Sequence, residues 1–217
     1  MELPLFPLRT VLFPGMELPL RIFEERYRVM IRELLDSGGE FGVLLIREGE
    51  EVGGGAIPHS MGTTARIEEC REVEGGRFVL NARGVHRFRL LRMLPARPYP
   101  YGEVEYLPDQ DEPTTPNLSL AVETVRTTFP LYFRMALSLT DQWAQGLRLP
   151  DRPHELVDFL GPWLQVEEEA KQRLLEIEAA ADRVAHLAEM IDDLLTRTRE
   201  EVIEYRRKKF GTLGAGN

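Results

Sequence analysis

Three lysines, four histidines and one cysteine bound the covalent and metal chemistry open to this chain of 217 residues. A serine–lysine dyad needs a lysine that can shed its proton and activate a hydroxyl. Lys171 lies among Glu167, Glu168, Glu169 and Glu176, whose charges hold an ammonium protonated. Lys208 and Lys209 belong to a basic run near the end of the chain. A nucleotide-phosphate loop needs glycines followed by Lys and Ser or Thr, so that backbone amides and the ammonium cradle the phosphates. The glycine-rich run Gly53-Gly54-Gly55 continues as Ala56-Ile57-Pro58, which reads as a loop or a β-bulge. His59, His86, His154 and His186 lack the His-x-x-x-His spacing of a metal site, and Cys70 alone cannot complete a ligand set. The acid pair Asp192-Asp193 reads as the solvated face of a helix. No catalytic residue, metal ligand or cofactor site is expected, and the chain reads as no enzyme.

One cluster could act without covalent chemistry. Arg83, Arg87, Arg89, Arg92 and Arg97, with His86 and Phe88 between them, gather positive charge on one hairpin. Arginines interleaved with aromatics can hold phosphates and stack on bases. The favoured reading is plainer: alternate arginines decorate the solvent face of a strand and pair with Glu68, Glu69, Glu72 and Glu74 on its neighbour. Charge argues the same way. Residues 1–100 balance, and residues 101–217 carry the whole net charge of −9. An acidic half repels phosphate backbones, so nucleic acid is the alternative partner, with Arg83, Arg87, Arg89 and Arg92 as its contact residues.

The elements that must position such groups follow from spacing. Leu3–Leu8 and Leu12–Leu20 are apolar runs cut by Pro4, Pro7, Pro14 and Pro19, so they read as short, irregular strands. Phe23–Asp36 is helical, with Tyr27, Met30, Ile31, Leu34 and Leu35 on one face and Gly38-Gly39 as its stop. Phe41–Arg47 is a strand. Ala65–Val73 and Arg77–Ala82 flank the hairpin signal Gly75-Gly76, and Val85–Leu94 and Gly102–Leu107 are further strands. Residues 108–117 hold three prolines and three acids without a large apolar side chain, the composition of a linker. Helices follow over Leu118–Gln145, with Pro130 set to kink or divide the first, then 153–164, Val166–Glu178, and a long one from Asp182, as N-cap, to Lys209. The boundary is placed between residues 112 and 113. Positions 174, 177, 181, 184, 188, 191, 195, 198, 202 and 205 step by three and four, either as the packed face of a bundle, which is favoured, or as a coiled-coil seam.

With 43% hydrophobic residues the chain can bury a core. No signal-peptide core opens it, and no apolar run approaches the roughly 18 residues of a membrane span. The single cysteine fits a reducing cytoplasm.

The order Leu3-Pro4-Leu5-Phe6-Pro7-Leu8-Arg9, Val11-Leu12-Phe13-Pro14-Gly15, Pro19-Leu20, Phe23-Glu24 and Arg26-Tyr27 resembles the start of Lon amino-terminal domains. Gly84-Val85-His86-Arg87-Phe88-Arg89 resembles the Gly-x-x-Arg-Phe segment of that family, and Lys171–Glu176 with Arg183 and Leu187 its helical half. The resemblance implies an α+β fold: a PUA-like β-barrel followed by a helical bundle with a long C-terminal helix. It also implies a stand-alone binding module that engages unfolded or tagged proteins, without the ATPase and protease of the full Lon enzyme. PUA-like folds include RNA binders, which sustains the arginine alternative.

The leading expectation is therefore a cytoplasmic, non-catalytic module that binds unfolded or exposed apolar protein segments. Apolar side chains and open strand edges would accept an extended chain, with Phe13, Met16, Leu18 and Ile22 as candidate contacts. RNA binding, or an adaptor that docks a partner through the last helix, are the alternatives. Ala181, Ala188 and Thr198 leave a seam short of large knobs, so a monomer or weak dimer is expected.

Overall fold

The computed structural model describes residues 1–95, 97–107, 115–143 and 146–210. The chain forms two compact units, Met1–Gln110 with Asp158–Glu178, and Asp111–Val157 with Ala179–Asn217. The predicted 112/113 boundary lies outside the described residues. Residues 158–178, read from sequence as part of the helical half, fold with the sheet.

Six strands among the described residues build the first unit: β1 (Glu2–Leu8), β2 (Glu17–Ile22), β3 (Glu40–Glu48), β4 (Ile57–Val73), β5 (Arg77–Met93) and β6 (Tyr101–Tyr106). The order is β2-β5-β4-β3-β1-β6, and β6 pairs back onto β5, which closes a barrel. β1 runs parallel to β3; the other pairings are antiparallel. Closure is possible because β5 is long. Its first half pairs with β2 over Phe78–Arg83 and its second half with β6 over Phe88–Met93. From sequence these halves read as separate strands, because Gly84 breaks the alternation. Gly84 serves close approach instead: a Cβ there would lie 2.2 Å from the Phe13 carbonyl oxygen. The Gly75-Gly76 turn stands as expected, with both glycines at positive φ.

Helix α1 (Glu25–Ser37) covers one face of this sheet. Tyr27, Met30, Ile31 and Leu34, spaced for one helical face, pack with Phe6, Leu18, Ile22, Phe41, Phe78 and Leu80. Leu3, Leu5, Leu44, Phe88 and Val104 form a second, smaller cluster. Gly38 at φ 69° ends α1 by donating its N–H to the Leu34 carbonyl, the left-handed cap that a glycine permits. Helix α4 (Glu168–Glu176) is tied to the barrel by polar contacts. The Glu168 carboxylate accepts from the Val11 N–H at 2.6 Å, and Gln172 donates to the Met61 carbonyl at 3.0 Å. Lys171 sits 2.8 Å from Glu168.

The second unit is helical. Helix α2 (Pro116–Leu139) is capped by Thr115, whose hydroxyl accepts from the Leu118 N–H at 3.2 Å, and it continues undivided through Pro130. It packs against α5 (Ala180–Phe210). Helix α3 (Pro153–Leu160) gives its first residues to this unit and its last to the other. Asp182 lies in the first turn of α5 and does not cap it. Val184, Leu187, Ile191, Leu194, Leu195, Thr198 and Val202 are buried. The apolar stripe is therefore largely satisfied within the chain, while its first two positions, Leu174 and Ile177, belong to α4 and its exit.

Candidate functional site

β2 is the strand that the barrel leaves open. It pairs with β5 on one side and, among the described residues, has no strand on the other. Leu18 and Ile22 turn inward, and Glu17, Pro19 and Arg21 outward. Pro19 lacks an N–H, so it fits only where that group would point away from β5. The open edge consequently lacks its central donor, a common protection against uncontrolled strand pairing.

Beside this edge runs a groove of about 130 Å³. Phe6, Leu8 and Tyr27 are its buried floor; Pro19, Leu20 and Phe23 form one wall and Val52 the other. Phe23 and Val52 are each 57% exposed. Phe23 falls between β2 and α1, where neither element has a face to bury it, so a large aromatic stands in water at the mouth of an apolar groove. Such exposure marks interaction sites more often than isolated surface hydrophobes do.

The Val52 wall is a loop shaped by glycine and held by charge. Gly49, Gly53, Gly54 and Gly55 all have positive φ. Arg9 donates to the Gly49 carbonyl at 2.8 Å and pairs with Glu50 at 3.0 Å. Glu24 accepts from the Gly53 N–H at 3.3 Å and pairs with Arg26 at 2.9 Å. The glycine run that reads as a loop is thus a scaffold that presents Val52.

The predicted contact residues divide. Phe13, Leu18 and Ile22 are core side chains, and Met16 is half-buried against the same core. The groove is lined instead by their neighbours Pro19 and Leu20 on β2 and Phe23 just after it. Composition alone could not separate inward from outward positions on so short a run.

The arginines divide too. Arg83 pairs with Glu68 at 2.6 Å and Glu17 at 3.0 Å, and Arg92 with Glu103 at 2.6 Å. Arg89 pairs with Glu178 and lies 3.8 Å from Glu105. Arg87 is 3% exposed, and its guanidinium donates to the carbonyl of Leu175 in the last turn of α4 and to those of Ile177 and Glu178 just after it. The expected solvent face thus holds for Arg83, Arg89 and Arg92. It fails for Arg87, which turns inward because the end of α4 brings unsatisfied carbonyls over its strand. Of the four predicted acidic partners, Glu68 forms an ion pair with one of these arginines. Among the described residues no group of three His, Cys, Asp or Glu side chains could hold a metal, and no helix is long and apolar enough to cross a membrane.

Comparison with known proteins agrees with this architecture. The model of the ATP-dependent protease La (LON) substrate-binding domain matches residues 2–193. Lon protease 2 of Myxococcus xanthus is 28% identical over 204 residues, covering 91% of this chain and 24% of the relative. Lon protease of Anaeromyxobacter dehalogenans is 27% identical over 207 residues, 91% of this chain and 23% of the relative. The chain thus spans about a quarter of the length of these relatives. The crystal structure of a Lon N-terminal domain protein from Xanthomonas campestris superposes with a TM-score of 0.64 at 30% identity, covering 86% of this chain and 96% of that one. The N-terminal domain of a Mycobacterium avium complex Lon protease shares the fold, with a TM-score of 0.66 at 22% identity over 89% of this chain and 99% of that one.

Proposed function

The chain belongs to the LON substrate-binding domain family, and on that footing we propose that the groove beside β2 binds exposed apolar segments of other proteins in the bacterial cytoplasm. The observation that carries this reading is Phe23, 57% exposed above a floor of Phe6, Leu8 and Tyr27. The groove has room for an apolar side chain of an extended segment, not for a folded ligand. Pro19 weakens backbone pairing along the edge, so side-chain burial supplies most of the affinity. Arg83, Arg89 and Arg92 are engaged by carboxylates, which favours a protein partner over a phosphate backbone.

Reduced, unfolded casein carrying a fluorophore tests this by anisotropy. Binding persists in high salt, because apolar burial does not depend on screening. Phe23→Ser with Val52→Ser weakens it about tenfold, the loss of roughly 1.4 kcal/mol of apolar contact. Both side chains are exposed, so the melting temperature stays near that of the unaltered protein. Undiminished binding by the double variant, or release of casein by salt alone, would refute the proposal.

A further inference from the structure

A second cavity, about 570 Å³, opens elsewhere on the first unit, between the C-terminal end of α1 and the start of β1. Its walls combine three features that favour a cation. The half-buried Tyr101 and Tyr106 supply aromatic rings, with Tyr99 buried behind them, and aromatic faces attract positive charge. Glu2, Glu33 and Glu40 supply carboxylates. Leu34, Ser37, Gly38 and Gly39 bring the end of α1 to the wall, and its last turn carries no basic residue to offset the negative end of the helix.

Two arginines also reach this cavity, and they differ. Arg66 is 2.7 Å from Glu40 and forms part of the wall. Arg97 is exposed on the connection between β5 and β6, and its guanidinium lies 4.2 Å from the centre of the Tyr101 ring. The phenols register the surrounding charge. Burial and then the hydrogen bond to Glu33 push Tyr99 up to about 12, while Arg97 pulls it the other way. Burial and then Glu40 raise Tyr106.

We infer that this cavity is a seat for a guanidinium or ammonium group presented by a basic segment of another protein, and that Arg97 is its tethered occupant, displaced when the partner's side chain enters. With Arg97 withdrawn, the cavity keeps three carboxylates against Arg66 and the Met1 ammonium, which donates to the Val104 carbonyl at 2.7 Å, so one negative charge remains in excess and a cation regains ring and charge together. The seat is independent of the β2 groove, from which it takes no residue.

The test uses the full chain with labelled tyrosines, titrated with N-acetyl-arginine amide and followed by the ring resonances of Tyr99, Tyr101 and Tyr106. The neutral analogue N-acetyl-citrulline amide is the control. Arg97→Ala empties the cage and should tighten arginine-amide binding roughly tenfold, the weight of one cation–π partner. Adding Glu33→Gln should reverse most of that gain, and Phe23→Ser should leave it unchanged. Arg97→Gln, which keeps the stem and removes the charge, provides a second variant that should behave like Arg97→Ala. Equal binding by the native chain and both Arg97 variants, equal response to citrulline, or shifts confined to other resonances would overturn the inference.

Discussion

Replacing Arg87 by methionine keeps the length of the side chain but strips hydrogen bonds from three carbonyls at the end of α4. A buried acceptor left without a donor carries its full desolvation penalty, so the variant should lose about 2–4 kcal/mol in urea denaturation. Arg92→Met is the control; its partner Glu103 is reached at a surface where the Arg92 side chain is 68% exposed, and little stability should change. Equal effects of the two substitutions would remove the structural role assigned to Arg87. Tyr27 offers a test in pH. Burial, more than any neighbouring charge, pushes its phenol up to about 12. The folded state therefore keeps its proton while the unfolded chain releases one from about pH 10. The stabilisation is complete below pH 10 and fades as pH rises toward 12, because there the unfolded state binds fewer protons. Tyr27→Phe should flatten that part of the stability curve; an unchanged alkaline slope would show that the phenol titrates normally.

At the scale of elements, two contacts decide whether the parts hold. Gly84 lets the chain around Phe13 cross β5 closely, and a Cβ placed there would meet the Phe13 carbonyl oxygen at 2.2 Å. Backbone atoms cannot swing aside as a side chain can, so Gly84→Ala should cost about 1–3 kcal/mol or more in strain. A melting temperature equal to that of the native chain would mean that the crossing relaxes freely. Ile191 is fully buried on α5. Ile191→Asp should cost roughly 3–5 kcal/mol, since a carboxylate there lacks water. Sedimentation separates the two meanings of the stripe. A native monomer that melts earlier on substitution places it in the core, whereas a native dimer converted to a folded monomer would make it a seam.

For the whole molecule the expectation is binding without turnover. With Lys171 paired to Glu168 and no lysine after the Gly53-Gly54-Gly55 run, ATP and casein incubated with the purified protein should both remain intact. ATP hydrolysis that co-purifies with the chain at constant specific activity would reveal a site of another kind. Reversing Arg89 and Arg92 to glutamate should leave casein binding nearly unchanged. A salt-sensitive RNA complex abolished by the same pair would instead favour the arginine hairpin.

Local pattern by itself determined the type of most segments, though not that the two halves of β5 are one strand or that the stripe breaks between α4 and α5. The spacing of Tyr27, Met30, Ile31 and Leu34 specifies α1, Gly75-Gly76 the hairpin, and the three-and-four step the long α5, since each depends on neighbours within a turn or two. The opening Leu-Pro-Leu-Phe-Pro run and its sequel carried the family and its α+β fold. Tertiary structure alone decided what faces water. Alternation in β5 looks the same whether Arg87 points out or in, and only the carbonyls at the end of α4, 88 to 91 residues away, settle its direction. Phe13, Leu18 and Ile22 are as apolar as Phe23, but Leu18 and Ile22 pack in the cluster with α1 and the Phe13 ring lies against Gly161, while Phe23 is left outside. The groove joins Phe6, Phe23 and Val52, a conjunction set by long-range packing, for which no local periodicity exists.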